Sequence, residues 1–355
     1  MSAPDGGCGR AYVGRLAPSP TGALHLGNVR TFMVAWLRAR SQGGRVVLRM
    51  EDLDHPRDKP GAASAAVEDL RWLGFDWDEE FVQSERREIY RDALSFLRGR
   101  GLVYPCVCSR RDVECAQSAP HSGEQLLYPG TCRGRFAGWA EAQEFLDGAG
   151  GAPCPGAARR TPCWRFRVEA GTSVAFEDAF AGRYEQDVSA TLGDFPLARD
   201  EDGAGYTLAC AVDDLLMGVT EVVRGDDLLA ATPAQVLVAR ALAPWLEKAT
   251  GRAGVPLPTF CHVPLVVGPD GRRLAKRHGD TRISSFREAG ASPEGILGFL
   301  AASCGWAEPG ESVTLGELVS RFKLSSIPRK PLVFSPKAAS VYTMRQVGGG
   351  YLHNV

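Results

Sequence analysis

One stretch of this chain, at positions 15–28, constrains its fold more than any other; it has the sequence RLAPSPTGALHLGN. Pro18 and Pro20 exclude a helix inside the stretch, and Gly22 permits a tight turn. A short apolar run suited to a strand precedes it, and apolar residues recur at helical spacing over Thr31–Arg40 after it. The sequence therefore predicts a strand, a rigid loop that carries an Arg and a His, and the start of a helix. Backbone N–H groups at a helix start favour an anion such as a triphosphate, although an ordinary strand-to-helix turn has the same pattern.

A second strand is predicted at Arg45–Met50, where four of the six residues are apolar. Three acids follow it in the run Glu51–Asp54. The carboxyl edge of a parallel sheet is where α/β proteins bind ligands, and a solvated acidic turn is the alternative interpretation. Helices are predicted at Gly61–Leu73 and Ser84–Arg100. This alternation of strands and helices predicts an α/β fold with a doubly wound parallel sheet.

The composition argues against several classes of protein. The 355 residues are 44% hydrophobic and 23% charged, with a formal net charge of −1. Any nucleic acid must therefore be bound by local patches rather than by a global basic field. We expect neither a membrane span nor a signal peptide, because no suitable apolar run stands out. The ten cysteines lack the pattern of a disulfide framework, so we expect reduced thiols, some of them on a metal, in a cytoplasmic protein.

Three cysteines are spaced as ligands of a metal. Cys106 and Cys108 are followed by Cys132, and three thiolates can occupy three corners of a tetrahedral zinc site. The candidates for a fourth ligand are Tyr128, Cys115 and His121. Spacing alone allows free buried cysteines equally well. Cys154 and Cys163 have no partner pattern and are interpreted as incidental.

The second half of the chain predicts another strand edge. Tyr206–Asp214 leads into a helix, and Thr220–Leu229 is typical of a strand that ends in an Arg and acids. Thr232 followed by Pro233 predicts a helix with a threonine N-cap. The basic run Arg273–Asp280 is, taken alone, typical of a solvated loop.

Two of these segments together resemble the glutamyl class of class I aminoacyl-tRNA synthetases. Positions 25–28 (HLGN) stand for the HIGH motif of that family, and positions 273–280 stand where its KMSKS loop belongs. Lys276 matches the second, ATP-binding lysine of that loop. Arg273 keeps the charge of the first lysine, whereas Ala275 lacks the hydroxyl of the serine.

The resemblance implies ATP-dependent activation of L-glutamate, with Mg²⁺ on the phosphates, by a class I Rossmann-type catalytic domain. The implied catalytic residues are His25, Asn28 and Lys276. The implied ATP-binding residues are His25, Gly27, Asn28 and Lys276. Glutamate would be bound by Arg15, Ser19, Glu51, Tyr206 and Arg224. The chemistry of these residues agrees, since a carboxylate suits the α-ammonium and an Arg suits a carboxylate in a forked contact.

The pattern Cys-x-Cys…Tyr-x-x-x-Cys is similar to the zinc element of the glutamyl-queuosine branch of this family, in which the tyrosine oxygen is a ligand. It implies one structural zinc on Cys106, Cys108, Tyr128 and Cys132. Leu228 agrees with this branch, because ordinary glutamyl-tRNA synthetases usually carry a Trp there. The longer loop Ser109–Leu127 contains Cys115 and His121, so the fourth ligand stays open.

The expected organisation is a catalytic domain in two halves around an insertion. Residues 1–104 form the first half, 105–190 a zinc-bearing insertion of the acceptor-end type, and 191–280 the second half with the KMSKS-like loop. Residues 281–355 are expected to be a short helical region and a loose tail. We expect no anticodon-binding domain and a monomer.

Three functions remain open on the sequence. The first is transfer of activated glutamate to the queuosine base at the wobble position of tRNA(Asp), with activation that needs no tRNA; the Cys/Tyr element, Leu228 and the expected lack of an anticodon domain favour it. The second is a truncated glutamyl-tRNA synthetase that charges the 3′ end of tRNA(Glu). The third is a catalytically dead paralogue that binds tRNA. Arg273 and Ala275 keep the third open, and the intact His25, Glu51 and Lys276 oppose it.

Overall fold

The computed structural model describes residues 10–53, 59–116, 127–149, 160–274 and 280–335, the side chains of residues 114–116 and 149 excepted. Within these residues the strands are, in chain order, β1 (Val13–Leu16), β2 (Arg45–Met50), β3 (Glu79–Val82), β4 (Val103–Cys106), β5 (Cys163–Phe166), β6 (Ser173–Asp178), β7 (Gly182–Asp187), β8 (Phe195–Ala198), β9 (Glu221–Gly225), β10 (Thr259–Val263), β11 (Val266–Val267) and β12 (Leu332–Val333). The helices are α1 (Leu26–Arg40), α2 (Ala62–Trp72), α3 (Arg87–Gly99), α4 (Arg110–Ala116), α5 (Trp139–Ala149), α6 (Val188–Thr191), α7 (Tyr206–Leu216), α8 (Thr232–Thr250), α9 (Ile283–Glu288), α10 (Pro293–Ala302) and α11 (Leu315–Arg321).

The centre of the fold is a set of parallel strands. β1, β2 and β3 pair in parallel on one side, and β9 pairs in parallel with β10 on the other. The two groups meet where the N–H of Thr220, just before β9, donates to the carbonyl oxygen of Val13 in β1 at 2.9 Å. The chain thus runs from β1 to one side of the sheet and returns through β9 to the other, so the switch point lies between β1 and β9. Ligands of such folds bind at the carboxyl ends of the strands at this point.

Two hydrophobic cores cover the two faces of these strands. In β2, Val46 and Leu48 belong to the core shared with α1, α2, α10 and α11, whereas Val47 belongs to the core shared with α3, α7 and α8. In β9, Val223 belongs to the first of these cores and Val222 to the second. Successive side chains of a strand point to opposite faces, so both faces are buried by helices. The predicted α/β fold with a parallel sheet is confirmed.

A second, antiparallel sheet orders its strands β4-β5-β8 and carries its own small core with the metal-spaced cysteines. β6, from within the predicted insertion, pairs in parallel with β10 of the central sheet. Strand pairing therefore crosses the predicted bounds at 104/105 and 190/191, and the four-part division of the chain stays a prediction. The zinc of the insertion and the lack of an anticodon-binding domain stay predictions as well.

The C-terminal helices pack against the start of the chain. The fully buried guanidinium of Arg30 in α1 donates to the carbonyl oxygen of Pro264 at 2.7 Å and to Oγ of Ser303, after α10, at 3.0 Å. β12 pairs in parallel with β11, so residues 332–333 of the expected tail are part of the fold. Residues 336–355 lie outside the described residues.

The turn before α8 together with that helix, Asp226–Thr250, is long and apolar enough to cross a membrane, contrary to the expectation from the sequence. Half of its most apolar window is buried inside the protein. Its buried residues, among them Val238, Leu242 and Leu246, belong to the core shared with α3 and α7. This burial is that of a core helix.

Two helix starts that bear on the site differ from the sequence prediction. α1 begins at Leu26, five residues before the predicted helical run, because His25 provides an N-cap that residue preferences do not anticipate. In α8 the N-cap position is Ala231, and Thr232 is the first helical residue. The predicted threonine cap is therefore wrong: the Thr232 hydroxyl instead donates to the carbonyl oxygen of Leu228 at 3.1 Å.

Candidate active site

The start of α1 is organised by His25. Its Nδ1 accepts hydrogen bonds from the backbone N–H groups of Gly27 at 3.1 Å and Asn28 at 3.3 Å. In return, Oδ1 of Asn28 accepts from the backbone N–H of His25 at 3.2 Å, which completes a capping box. A side chain at Gly27 would place its Cβ 3.0 Å from the His25 ring, so the glycine allows the ring to fold over the helix start.

These bonds fix the tautomer of His25. Burial lowers the pKa of His25, and the positive charge of Arg273 lowers it further, so the ring is neutral at pH 7. Because Nδ1 accepts two hydrogen bonds, the ring proton lies on Nε2. His25 therefore offers one N–H donor beside the positive end of the α1 dipole. That combination suits phosphate oxygens.

A group of buried charges lies under the carboxyl ends of β1 and β2. The guanidinium of Arg49 donates to Oδ1 of Asp214 at 2.6 Å and to Oε1 of Glu51 at 3.0 Å. Arg15 lies 3.6 Å from the same Asp214 carboxylate and donates to the carbonyl oxygen of Val223 in β9 at 2.9 Å. The Arg15 atom in this ion pair is Nε, which is buried and lies too far from the carboxylate for a hydrogen bond. Two arginines from neighbouring strands thus share one aspartate.

Tyr206 and Arg224 complete this pocket. The Tyr206 side chain is 42% exposed at the first position of α7. Loss of hydration around its hydroxyl raises the pKa of Tyr206; the charges of Cys210 and Glu51 add to the rise, and those of Arg224 and Arg15 oppose it. The Cys210 thiol, one turn after Tyr206 on α7, donates to Oε1 of Glu51 at 3.3 Å, and Arg15 binds the carbonyl oxygen of the residue before Arg224. The structure thus brings together four of the five predicted glutamate-binding residues, which are Arg15, Glu51, Tyr206 and Arg224.

The fifth, Ser19, lies exposed in the loop after β1. The backbone on both sides of it is anchored: the carbonyl oxygen of Pro18 accepts from the N–H of Glu51 at 2.9 Å, and that of Pro20 accepts from Lys59 at 3.1 Å. The loop is therefore tied to the strand end that carries Glu51, which places Ser19 next to it.

The KMSKS-like segment is described only in part. Arg273 forms a 2.8 Å ion pair with Asp227, and its charge acts on His25. After the loop, the carbonyl oxygen of Thr281 accepts from the N–H of Leu26 at 3.0 Å. Both ends of the segment therefore approach the start of α1. Lys276 and Ala275 lie outside the described residues, so their predicted roles stay predictions.

The metal-spaced cysteines form a tight group. The sulfur atoms of Cys106, Cys108 and Cys132 all lie within 4.8 Å of one another, and this group can hold a metal ion. The hydroxyl oxygen of Tyr128 lies 3.3 Å from the Cys106 sulfur and 3.7 Å from that of Cys108. Of the three candidates for a fourth ligand, Tyr128 is thus placed among the sulfurs. His121 and the side chain of Cys115 lie outside what the structure describes.

Sequence reasoning missed several residues that bind the predicted ones. Arg165 donates to the Cys106 sulfur at 3.1 Å, and Cys163 lies directly across from Cys106 in the β4–β5 pair. Arg49 and Asp214 form an ion pair with each other, and they also pair with Glu51 and Arg15 of the glutamate pocket. No local feature of the predicted strand marks Arg49 for the site, and its partner Asp214 is 165 positions away.

Comparisons with known proteins agree with this geometry. A family model described as "tRNA synthetases class I (E and Q), catalytic domain" matches residues 12–337. A "Glutamyl-Q tRNA(Asp) synthetase" of Symbiobacterium thermophilum is 46% identical over 330 residues, which is 90% of this chain and 94% of the relative. A protein of the same name from Rhodopirellula baltica is 44% identical over 90% of this chain and 95% of its own.

Glutamate–tRNA ligases are also similar, over a smaller share of their length. The "Glutamate--tRNA ligase" of Aquifex aeolicus is 36% identical over 96% of this chain and 67% of the ligase. The crystal structure of a glutamate tRNA ligase from Elizabethkingia meningosepticum in complex with its amino acid superimposes with a TM-score of 0.71 at 25% identity, covering 94% of this chain and 69% of that one.

Proposed function

This chain belongs to the class I tRNA synthetases of the E and Q type, and from that membership we propose that it activates L-glutamate with ATP and transfers the glutamyl group to queuosine in tRNA(Asp). The observation that carries the proposal is the pocket at the switch point, where two arginines, a glutamate and a tyrosine lie beside a helix start that suits phosphate. The identity of 44–46% to the two glutamyl-Q synthetases, against 36% to the Aquifex ligase, supports queuosine as the acceptor.

The pocket is complementary to an amino acid with two carboxylates. Glu51 supplies a negative charge for the α-ammonium group. Arg15 and Arg224 supply positive charges for the carboxylates. Tyr206 forms the exposed wall that a bound amino acid would cover.

Activation joins glutamate to AMP. An oxygen of the α-carboxylate attacks the α-phosphorus of ATP, the bond from that phosphorus to the bridging oxygen breaks, and pyrophosphate leaves with that oxygen. Such a step depends on positioning and charge stabilisation. The Nε2–H of His25 would donate to a phosphate oxygen, and Lys276 would neutralise the charge that develops on pyrophosphate. Mg²⁺ bound with ATP would supply further positive charge to the phosphates. In the second step a hydroxyl of queuosine attacks the glutamyl carbonyl carbon and releases its proton, the bond from that carbon to the phosphate oxygen breaks, and AMP leaves with that oxygen.

We also propose that the cysteine group holds one structural zinc ion, with Cys106, Cys108, Cys132 and Tyr128 as its ligands. Three sulfurs and one oxygen make the four-ligand, thiolate-rich set that structural zinc sites use. The Arg165 guanidinium on Cys106 supports the proposal, since a neighbouring cation favours the thiolate, which is the form that binds metal.

Elemental analysis of the purified protein tests the zinc proposal, and we expect about one zinc ion per chain. Cys108→Ala should lose the metal, and with it the local order of the β4-β5-β8 sheet, because metal binding is coupled to folding. Cys304→Ala is the matched control, since Cys304 is a buried free cysteine in another core, away from the group of three. Zinc retained in the Cys108 variant, or a wild-type protein without metal, would contradict the assignment.

Transfer of labelled glutamate to total tRNA tests the proposed function. With tRNA prepared from cells that make queuosine, we expect label on tRNA(Asp); with queuosine-free tRNA we expect none. Label on the 3′ end of tRNA(Glu), independent of queuosine, would identify a charging enzyme instead. Absence of glutamate-dependent ATP–pyrophosphate exchange, with or without tRNA, would identify a dead paralogue.

A further inference from the structure

A buried chain of polar side chains lies behind Arg224. Arg224 of β9 and His262 of β10 are partners in the parallel pair, and Asp178 ends the next strand, β6. The side chains of His262 and Asp178 are fully buried, 2.6 Å apart between Nδ1 and Oδ2. Nε of Arg224 lies 3.0 Å from Nε2 of His262. These three hydrogen-bonded side chains therefore link three adjacent strands and end on a residue of the glutamate pocket.

The position of the proton on each of these side chains can be assigned. Although burial opposes the shift, hydrogen bonds from His262 and from the backbone N–H groups of Ala181 and Phe180 lower the pKa of Asp178 to about 2. Burial lowers the pKa of His262, the bond to Asp178 opposes this shift, and Arg224 adds to it. An ionised Asp178 and a neutral His262 place the ring proton on Nδ1, where it is donated to Asp178. Nε2 is then an acceptor, and it accepts the Nε–H of Arg224.

A second acceptor fixes the same edge of the guanidinium. Nη2 of Arg224 donates to the Thr232 hydroxyl at 2.7 Å, and that hydroxyl oxygen also lies 3.0 Å from Nε2 of His262. Nε and Nη2 are thus both held from behind. Among the described residues, none is recorded as accepting a hydrogen bond from Nη1. The edge between Nη1 and Nη2 is the one left for a ligand, and two parallel N–H groups on one edge match a carboxylate.

We propose that His262 and Asp178 are positioning residues for Arg224. Asp178 fixes the tautomer of His262, and His262 in turn orients Arg224 so that its Nη1–Nη2 edge faces a carboxylate of glutamate. The inference rests on the proposed function, because it takes Arg224 as a glutamate-binding residue. A purely structural histidine would need only a satisfied hydrogen-bond partner. Here both ring nitrogens are used, and donation runs in one direction, from the guanidinium of Arg224 through the ring to the carboxylate of Asp178. A carboxylate fixes the tautomer of a metal-binding histidine in the same way.

The test compares His262→Leu with His262→Gln in ATP–pyrophosphate exchange, with circular dichroism and thermal melting to check the fold. Leu removes the acceptor, so KM for glutamate should rise about 10- to 100-fold, the size expected for a hydrogen bond to a charged group. KM for ATP should stay within about two-fold, since the start of α1 is unchanged. Gln restores an acceptor oxygen near the position of Nε2 and an amide N–H₂ towards Asp178, so we expect KM for glutamate to recover to within about three-fold of wild type.

Several outcomes would overturn the inference. An unchanged KM for glutamate in the folded Leu variant would do so, as would equal rises in the KM values for glutamate and ATP, or a Gln variant as impaired as Leu. If the Leu variant does not fold, Thr232→Val removes the other acceptor at a helix start and should raise KM for glutamate selectively; no rise would reject the idea. A wild-type protein without glutamate-dependent exchange would instead overturn the proposed function itself.

Discussion

His25→Asn is expected to lower kcat of ATP–pyrophosphate exchange by about two to three orders of magnitude, the usual effect of removing one donor to developing charge. The helix should remain intact, because Oδ1 of Asn lies near the position of Nδ1 and can accept from the N–H groups of Gly27 and Asn28. Asn is also among the best N-cap residues. What the substitution removes is the Nε2–H donor, so kcat falls while the melting temperature changes little.

His25→Ala separates the two roles of the side chain. It removes both the donor and the cap, so it should show the same loss of kcat and, in addition, a loss of about 1 kcal/mol in the free energy of unfolding. Wild-type exchange rates in the Asn variant would show that His25 acts only as a cap and would remove it from the mechanism.

Arg49→Met is expected to lower the free energy of unfolding by about 3–5 kcal/mol, the range for removing one partner of a buried ion pair. The Arg49 side chain is fully buried, and its guanidinium binds both Glu51 and Asp214. Burial disfavours the charged form of Arg49, but these carboxylates outweigh it and raise its pKa. The variant leaves two carboxylates without their common cation in a site that water reaches poorly. Urea unfolding followed by circular dichroism measures the effect.

Arg45→Met on the same strand is the matched control. Arg45 is exposed and pairs with Glu79 at the surface, where such an ion pair contributes about 0–1 kcal/mol. The same change in side chain should therefore alter stability very little at position 45. Equal losses at both positions would mean that the methionine itself, rather than the buried charge, destabilises β2.

Local patterns were enough to predict the parts of the site that come from one segment. The two prolines, the glycine and the HLGN sequence placed the loop between β1 and α1, and the acids after β2 placed Glu51 at the sheet edge. Both rest on strand and helix rules that act over a few residues. The resemblance to a family then selected Tyr206 and Arg224, which share no local feature with Arg15.

Partners distant in sequence could not be predicted in this way. No local pattern marks His262, and its role depends on Asp178, 84 positions earlier. Cys163 was interpreted as incidental, because its place opposite Cys106 follows from the pairing of β4 with β5. The start of α1 was placed too late because histidine is not a preferred N-cap, and only the closed ring over Gly27 makes it one.

The junction between β1 and β9 also sets the order in which the protein can assemble during synthesis. The N–H of Val13 binds the hydroxyl of Thr220 across 207 positions of sequence. At roughly 5–20 residues per second, a ribosome takes about 10–40 s to make that intervening chain. Until β9 is made, the side of β1 that pairs with it stays open, and Arg15 lacks the Val223 carbonyl that it binds in the finished fold. The glutamate pocket is thus a late product of translation, closed only when β9 arrives.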